Sequence, residues 1–140
     1  MSDNGLEVFD RTLHTTHVWL DDVMQDTDAS RQTAWHLLGT VLRNLRDCLP
    51  TSLTAHLGAQ LPLLLRGAFF ERWQPSEQPE RTRHQETFLQ RIDEEMAKTK
   101  QDIDPATATR AVFATLARHI DSGQVEKVKG SLHKELVALW

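Results

Sequence analysis

His14 and His17 are the first residues in the chain whose types and spacing could do chemistry. On a helix, residues three apart share a face, and neutral imidazole is a common metal ligand. A zinc ion needs three or four ligands, and no third stands at a telling distance. Solvated or capping histidines near a helix start are therefore expected, with a metal pair as the alternative. His36, His56, His84, His119 and His133 are scattered. His56 is the best placed of these for a ligand, just before a bend expected between Gly58 and Pro62. Cys48 lacks a positioned base and reads as an inert, half-buried thiol. The adjacent carboxylates Asp21-Asp22 and Glu94-Glu95 diverge around a helix and read as solvated faces. Arg66 lies at the end of an apolar helix, where it either clamps an anion or bonds terminal carbonyls. Arg43, Arg46 and Arg110 are expected to face solvent. Trp73 and Trp140 are expected to plug the ends of a core rather than stack on a ligand. The chain holds no GxSxG, no glycine-rich phosphate loop, no CxxC and no HExxH.

Composition sets the bounds. The 140 residues suggest one domain. A net charge of −4 without a basic cluster argues against a nucleic-acid partner. A single cysteine allows no internal disulfide and fits a reducing compartment. The start MSDNGLEVFD has no basic region followed by an apolar one, so no signal peptide is expected. No apolar run approaches a membrane span. A cytoplasmic protein with no membrane association and no cofactor is the expectation.

The elements that must position these residues are all helical. Residues 1–13 read as a polar, flexible N-terminal tail. A first helix fits His14–Gln25, with Val18, Trp19 and Val23 inward. Asp28 or Ser30 caps a second helix, about Arg31–Cys48, whose Leu37, Leu38, Val41, Leu42 and Leu45 recur at helical spacing. A third, about 53–67, is expected to bend at Pro62 without breaking, because Leu61 would be a poor N-cap. Thr51 or Ser52 would cap it and Gly67 would stop it. Residues 74–83, QPSEQPERTR, read as a linker. Helices over His84–Lys98, from Asp104-Pro105 to about Asp121, and from a Ser122 cap to the end complete the chain.

The halves resemble one another. At a shift of 71 positions Val41 meets Val112, Leu42 meets Phe113, Leu45 meets Leu116 and Leu49 meets Ile120. The correspondence continues with Leu57 on Val128, Leu61 on Leu132, Leu65 on Leu136 and Phe69 on Trp140. The first helices match at a shift of 69, Trp19 on Phe88 and Val23 on Ile92. A half of roughly 55 residues would be marginal alone. The expected fold is all-α: a six-helix bundle of two three-helix repeats, 14–73 and 84–140, related by a pseudo-twofold within a single domain 14–140. Pro62 falls opposite His133, so only the first copy is expected to bend.

HLGAQLPLLLRGAFFERW (56–73), preceded by LRNLRDCLP (42–50), resembles the DUF2267 family of uncharacterised bacterial proteins. TTHVWL (15–20), AVFATLARHI (111–120) and the ending ELVALW (135–140) are similar to it as well. The resemblance implies an all-helical, internally duplicated bacterial protein and no particular activity.

The function expected from the residues is a non-catalytic helical interaction module, with a homodimer or another protein as partner. The alternative is a small-molecule or metal-binding sensor at the bend, using His56, Arg66 and Trp73, or the metal pair His14 and His17. An enzyme built on scattered histidines and acids is the weakest option.

Overall fold

Hydrophobic spacing dictates the centre of the fold. In the computed structural model, which describes residues 5–140, α2 (Arg31–Asp47) buries Leu37, Leu38, Val41, Leu42 and Leu45. Ser30 caps it, its hydroxyl accepting from the Thr33 amide at 3.2 Å. Four elements pack around α2: α1 (Glu7–Thr27), α4 (Leu63–Phe70), α5 (Gln85–Ala97) and α6 (Pro105–His119). α6 carries its own fully buried stripe, Val112, Phe113 and Leu116. Between these lie α3 (Thr51–Gln60), α7 (Ser122–Ser131) and the single-turn α8 (Lys134–Val137). No strand occurs among the described residues.

Several expectations need correction. The described residues form eight α-helices, not six. The expected bend is a break: Leu61 is extended, with ψ 146°, and α3 and α4 are separate helices. Leu61 is 1% exposed, and the extended residue drives its side chain into the core. The same break occurs at Leu132, ψ 152°, where no proline follows. There the His133 ring caps α8 by accepting from the Glu135 amide at 3.3 Å. The bend is therefore not confined to the first half.

Gly67 does not end a helix but lies inside α4. The cap of α7 is Asp121, whose carboxylate accepts from the Gln124 amide, and Ser122 is its first residue. Pro50, not Thr51 or Ser52, stands at the N-cap of α3. Asp104 and Pro105 open α6 as the sequence implies, with the Asp104 carboxylate accepting from the Thr107 amide at 3.0 Å.

The tail is shorter than expected. α1 starts at Glu7, not His14, and its 21 residues span about 31 Å. Residues 1–4 of the expected tail lie outside the described residues. Residues 74–83 hold a 3-10 turn, Pro75–Glu77, and are tied to the bundle. The Gln78 amide donates to the carbonyls of Arg46 and Leu49 and to the Thr54 hydroxyl, and the Glu80 amide donates to the Asp47 carbonyl at 2.7 Å.

Candidate interaction surface

Most of the polar residues singled out in the sequence serve the bundle itself. Arg66 points back along the chain and covers the exposed end of α3. Its guanidinium donates to the carbonyls of Gly58, Ala59 and Leu61 at 3.0, 3.2 and 3.1 Å. The Ala59 carbonyl is one a helix C-terminus leaves unpaired, and the Gly58 carbonyl also accepts from the Leu61 amide at 3.2 Å. Trp73 donates its indole N–H to Gln78 and sits 5.1 Å from the Phe70 ring. Phe70 in turn lies on the backbone of α3 because residue 58 is glycine, where a Cβ would overlap the ring. His56 is exposed on α3 and takes part in none of these contacts. The break thus gathers Arg66 and Phe70 against α3, but it does not bring His56, Arg66 and Trp73 together around one opening.

His14 and His17 are exposed on α1. Among the described residues no group of three or more His, Cys, Asp or Glu side chains could hold a metal ion.

Two arginines expected in solvent are not there. Arg46 is 4% exposed and donates to the carbonyls of Phe69 and Glu71, both at 2.8 Å, and to the Asp47 carboxylate. Arg43 is half-buried and reaches the Ala68 carbonyl at 3.3 Å, with Glu71 and Glu95 within 3.7 Å. Arg110 is exposed, as expected. Cys48 is buried more deeply than expected, and burial pushes its thiol up to about 11, so it stays neutral.

Asp22 and His119 form a contact the sequence did not indicate. The His119 ring stacks on Trp19 at 5.1 Å, its Nε2 lies 2.5 Å from Asp22 Oδ2, and Arg118 reaches the same oxygen at 3.1 Å. Burial by itself pushes the Asp22 carboxyl up, but the bonds from His119 and Arg118 outweigh it and hold the carboxyl below its ordinary value. The cluster joins α1 to α6. The 97 residues separating Asp22 and His119 explain why spacing gave no hint of it.

A groove of about 640 Å³ runs between α2, α4 and α5, walled by Trp35, Arg43, Leu64 and Gly67. Arg72 and Lys98 at its rim have no carboxylate partner among the described residues.

The largest departure from expectation is on α1. Leu6, Phe9 and Leu13 lie three and four residues apart, and Thr16, Leu20 and Val23 continue the same line. From Thr16 onward this face is buried against α2 and α6. Ahead of it the face is only partly covered: Thr12 is half-buried, while Leu6, Phe9 and Leu13 are 41–51% exposed, and Val8 on the flank is 53% exposed. Glu7, Arg11 and His14 occupy the opposite side of the helix, while Asp10, four residues after Leu6 and three before Leu13, borders the apolar face and is half-buried. Val18, expected inward, also faces out, at 37%. The signal was in the sequence, since Leu6, Phe9 and Leu13 extend the helical period eight residues upstream of His14. The polar residues between them masked it.

An all-helical protein with a buried polar scaffold and an uncovered amphipathic arm is the class these features define. The chain matches, over residues 16–139, the family model described as an uncharacterized conserved protein, DUF2267, and it belongs to that family. No curated protein matches it. Among the described residues no helix is long and apolar enough to cross a membrane.

Proposed function

We propose that the protein is a non-catalytic helical interaction module whose docking surface is the N-terminal arm of α1, residues 6–13. The observation that carries this is the continuity of one face, buried from Thr16 and with its apolar side chains Leu6, Phe9 and Leu13 largely exposed before it. Scattered exposed apolar side chains are ordinary, but a run of them along one helix face favours contact with another surface. Several of the polar groups that could support chemistry are used inside the bundle. Cys48 is a buried neutral thiol, and the Asp22–His119 pair ties two helices together.

The scaffold reads as a duplication, now of four helices each, related by a pseudo-twofold. Shifting α3 by 71 gives the bounds of α7, and Leu61 and Leu132 break the chain at the same place. The groove between α2, α4 and α5 has a counterpart between α6, the end of α1 and the residues Leu139 and Trp140 that follow α8. His36, Gly39, Thr40, Arg43 and Ala68 of one correspond to Thr107, Arg110, Ala111, Ala114 and Leu139 of the other. On this reading the arm is what the first copy adds, because α5 has no equivalent of residues 7–13.

The test is thermal and urea unfolding of Phe9→Ser and Leu13→Ser. A surface kept for a partner can lose its apolar side chains within about 0.5 kcal/mol of wild-type stability. A loss of about 2 kcal/mol or more, typical of a deleted core side chain, would make the arm part of this bundle's own core and end the proposal.

A further inference from the structure

We infer that the groove between α2, α4 and α5 binds a small amphiphilic oxyanion, a carboxylate or phosphate head on an apolar body, and that Arg43 takes the head. The inference does not depend on the arm of α1.

Arg43 is short of partners where its neighbours are not. Arg46 and Arg66 each make three hydrogen bonds. Arg43 makes one among the described residues, to the Ala68 carbonyl at 3.3 Å, although only 17% of its side chain is exposed. Glu71 and Glu95 neutralise it loosely, their oxygens 3.7 and 3.6 Å away and outside hydrogen-bond reach. A guanidinium carries five N–H donors, and a desolvated donor left unmet is costly. Most of those on Arg43 therefore lack an acceptor in the bundle. Two parallel N–H groups of such a fork fit the two oxygens of a carboxylate or phosphate.

The helix holds this guanidinium at the groove. Trp35, Gly39 and Arg43 are spaced four apart, on one line of α2. A Cβ at residue 39 would stand 2.8 Å from Arg43 Nη1, so glycine there lets the guanidinium lie back against the helix. At the shift of 71 position 43 falls on Ala114, so the counterpart groove lacks a cation at that position.

The space and the walls suit a small ligand. The groove's volume of about 640 Å³ lies within the roughly 300–1,000 Å³ of small-molecule sites. Half-buried Trp35 and Leu64, 40% exposed, give it an apolar wall. At Gly67 no atom lies within 4 Å of an added Cβ, so the wall is open there. Charge decides the sign of the ligand. Asp47 is committed to Arg46 at 2.8 Å, which leaves Arg43, Arg72 and Lys98 against Glu71 and Glu95. The surplus is positive, although the chain as a whole carries −4.

Two-dimensional NMR of the full chain, with phenylbutyrate and phenyl phosphate as probes, tests this. Both should shift the Arg43 Nε–H and Trp35 indole N–H signals saturably, with Kd below about 5 mM for ligands of this size. The tighter of the two identifies the head group. The neutral phenylbutanol should bind at least about tenfold more weakly, and so should phenylbutyrate to Arg43→Gln. Gly67→Leu, which fills the open wall without touching Arg43, should weaken binding as well. Glu95→Gln, which removes a competing carboxylate, should tighten it. Thermal unfolding shows which variants are folded, and if Arg43→Gln is not, Gly67→Leu and Glu95→Gln carry the test. Signals that stay fixed at about 20 mM of both probes overturn the inference. So do equal binding of phenylbutanol, a folded Arg43→Gln that binds like wild type, or a Glu95→Gln that binds more weakly. Inorganic phosphate bound as tightly as phenyl phosphate also overturns it, because the Trp35 wall would then contribute nothing. Shifts confined to Phe9 and Leu13 would put the probe on the arm and overturn it too.

Discussion

Arg46 holds Phe69 in place: a guanidinium buried in α2 donates to the backbone carbonyl of the last residue but one of α4, at 2.8 Å. The same nitrogen reaches the Glu71 carbonyl at 2.8 Å, so one side chain closes the C-terminal end of α4. Helix ends leave such carbonyls unpaired, and the bond to Phe69 is buried away from water. The arginine's own carbonyl accepts from Gln78. Helix α2, the end of α4 and the 74–83 segment are thus locked by a single residue.

Arg46→Met should therefore cost about 3 kcal/mol, the usual order when a buried charge-assisted network loses its donor and leaves its acceptors unsatisfied. Arg46→Lys should recover little, because one ammonium cannot match the fork of a guanidinium. Urea denaturation at neutral pH measures both. A loss under about 0.5 kcal/mol for the methionine variant would show that the network adds nothing to stability.

Leu116 is fully buried on α6, whereas Leu64 on α4 is 40% exposed. Leu116→Ala should cost about 2–5 kcal/mol through lost burial and the cavity left behind. Leu64→Ala should stay within about 0.5 kcal/mol. Equal effects in calorimetry would contradict the placement of the two side chains.

The two glycines of the α3–α4 hairpin should respond in opposite directions. At Gly58 a methyl group would overlap the Phe70 ring. Overpacking of about 1–3 kcal/mol should outweigh the helix-propensity gain of about 1 kcal/mol, so Gly58→Ala destabilises. At Gly67 no atom lies within 4 Å of an added Cβ. Gly67→Ala should stabilise by about 0.5–1 kcal/mol, since only the propensity gain remains. Melting temperatures that moved the same way would refute the contrast.

The Asp22 cluster makes the stability depend on pH in a definite direction. Its carboxyl titrates below the ordinary value of 3.8 in the folded protein. A lowered carboxyl favours the folded state fully above its unfolded pKa, and the contribution fades as pH falls through the folded value. Asp22→Asn should therefore be less stable than wild type near neutrality. The gap should narrow as pH drops below about 4. A gap that widened in acid, followed by urea unfolding at a series of pH values, would reverse the assignment.

How much of this was legible beforehand differs from residue to residue. Leu37, Val41 and Leu45 announced a buried helix face because a helix repeats every 3.6 residues, and burial follows that period wherever the helix packs. Asp104 and Pro105 announced a helix start because their chemistry acts within one turn. Pro62 was read correctly as a disturbance and wrongly as a bend. Whether a chain bends or breaks there depends on whether the core has room for Leu61 and whether Arg66 can cover the freed carbonyls of α3. Arg43 and Arg46 misled because a charged residue on a helix is usually solvated, and only the return of α4 supplies the carbonyls that draw them in.

The sequence by itself determined that the chain is helical, most of the apolar faces and the family, because these follow from local spacing and from motifs that can be read within a few turns. The tertiary structure decided which face is covered. Phe9 and Leu20 lie on one stripe of one helix, yet Leu20 is 4% exposed and Phe9 is 45% exposed. Periodicity marks both for burial, but burial needs a neighbour, and where the neighbouring helices end is a property of the assembled bundle.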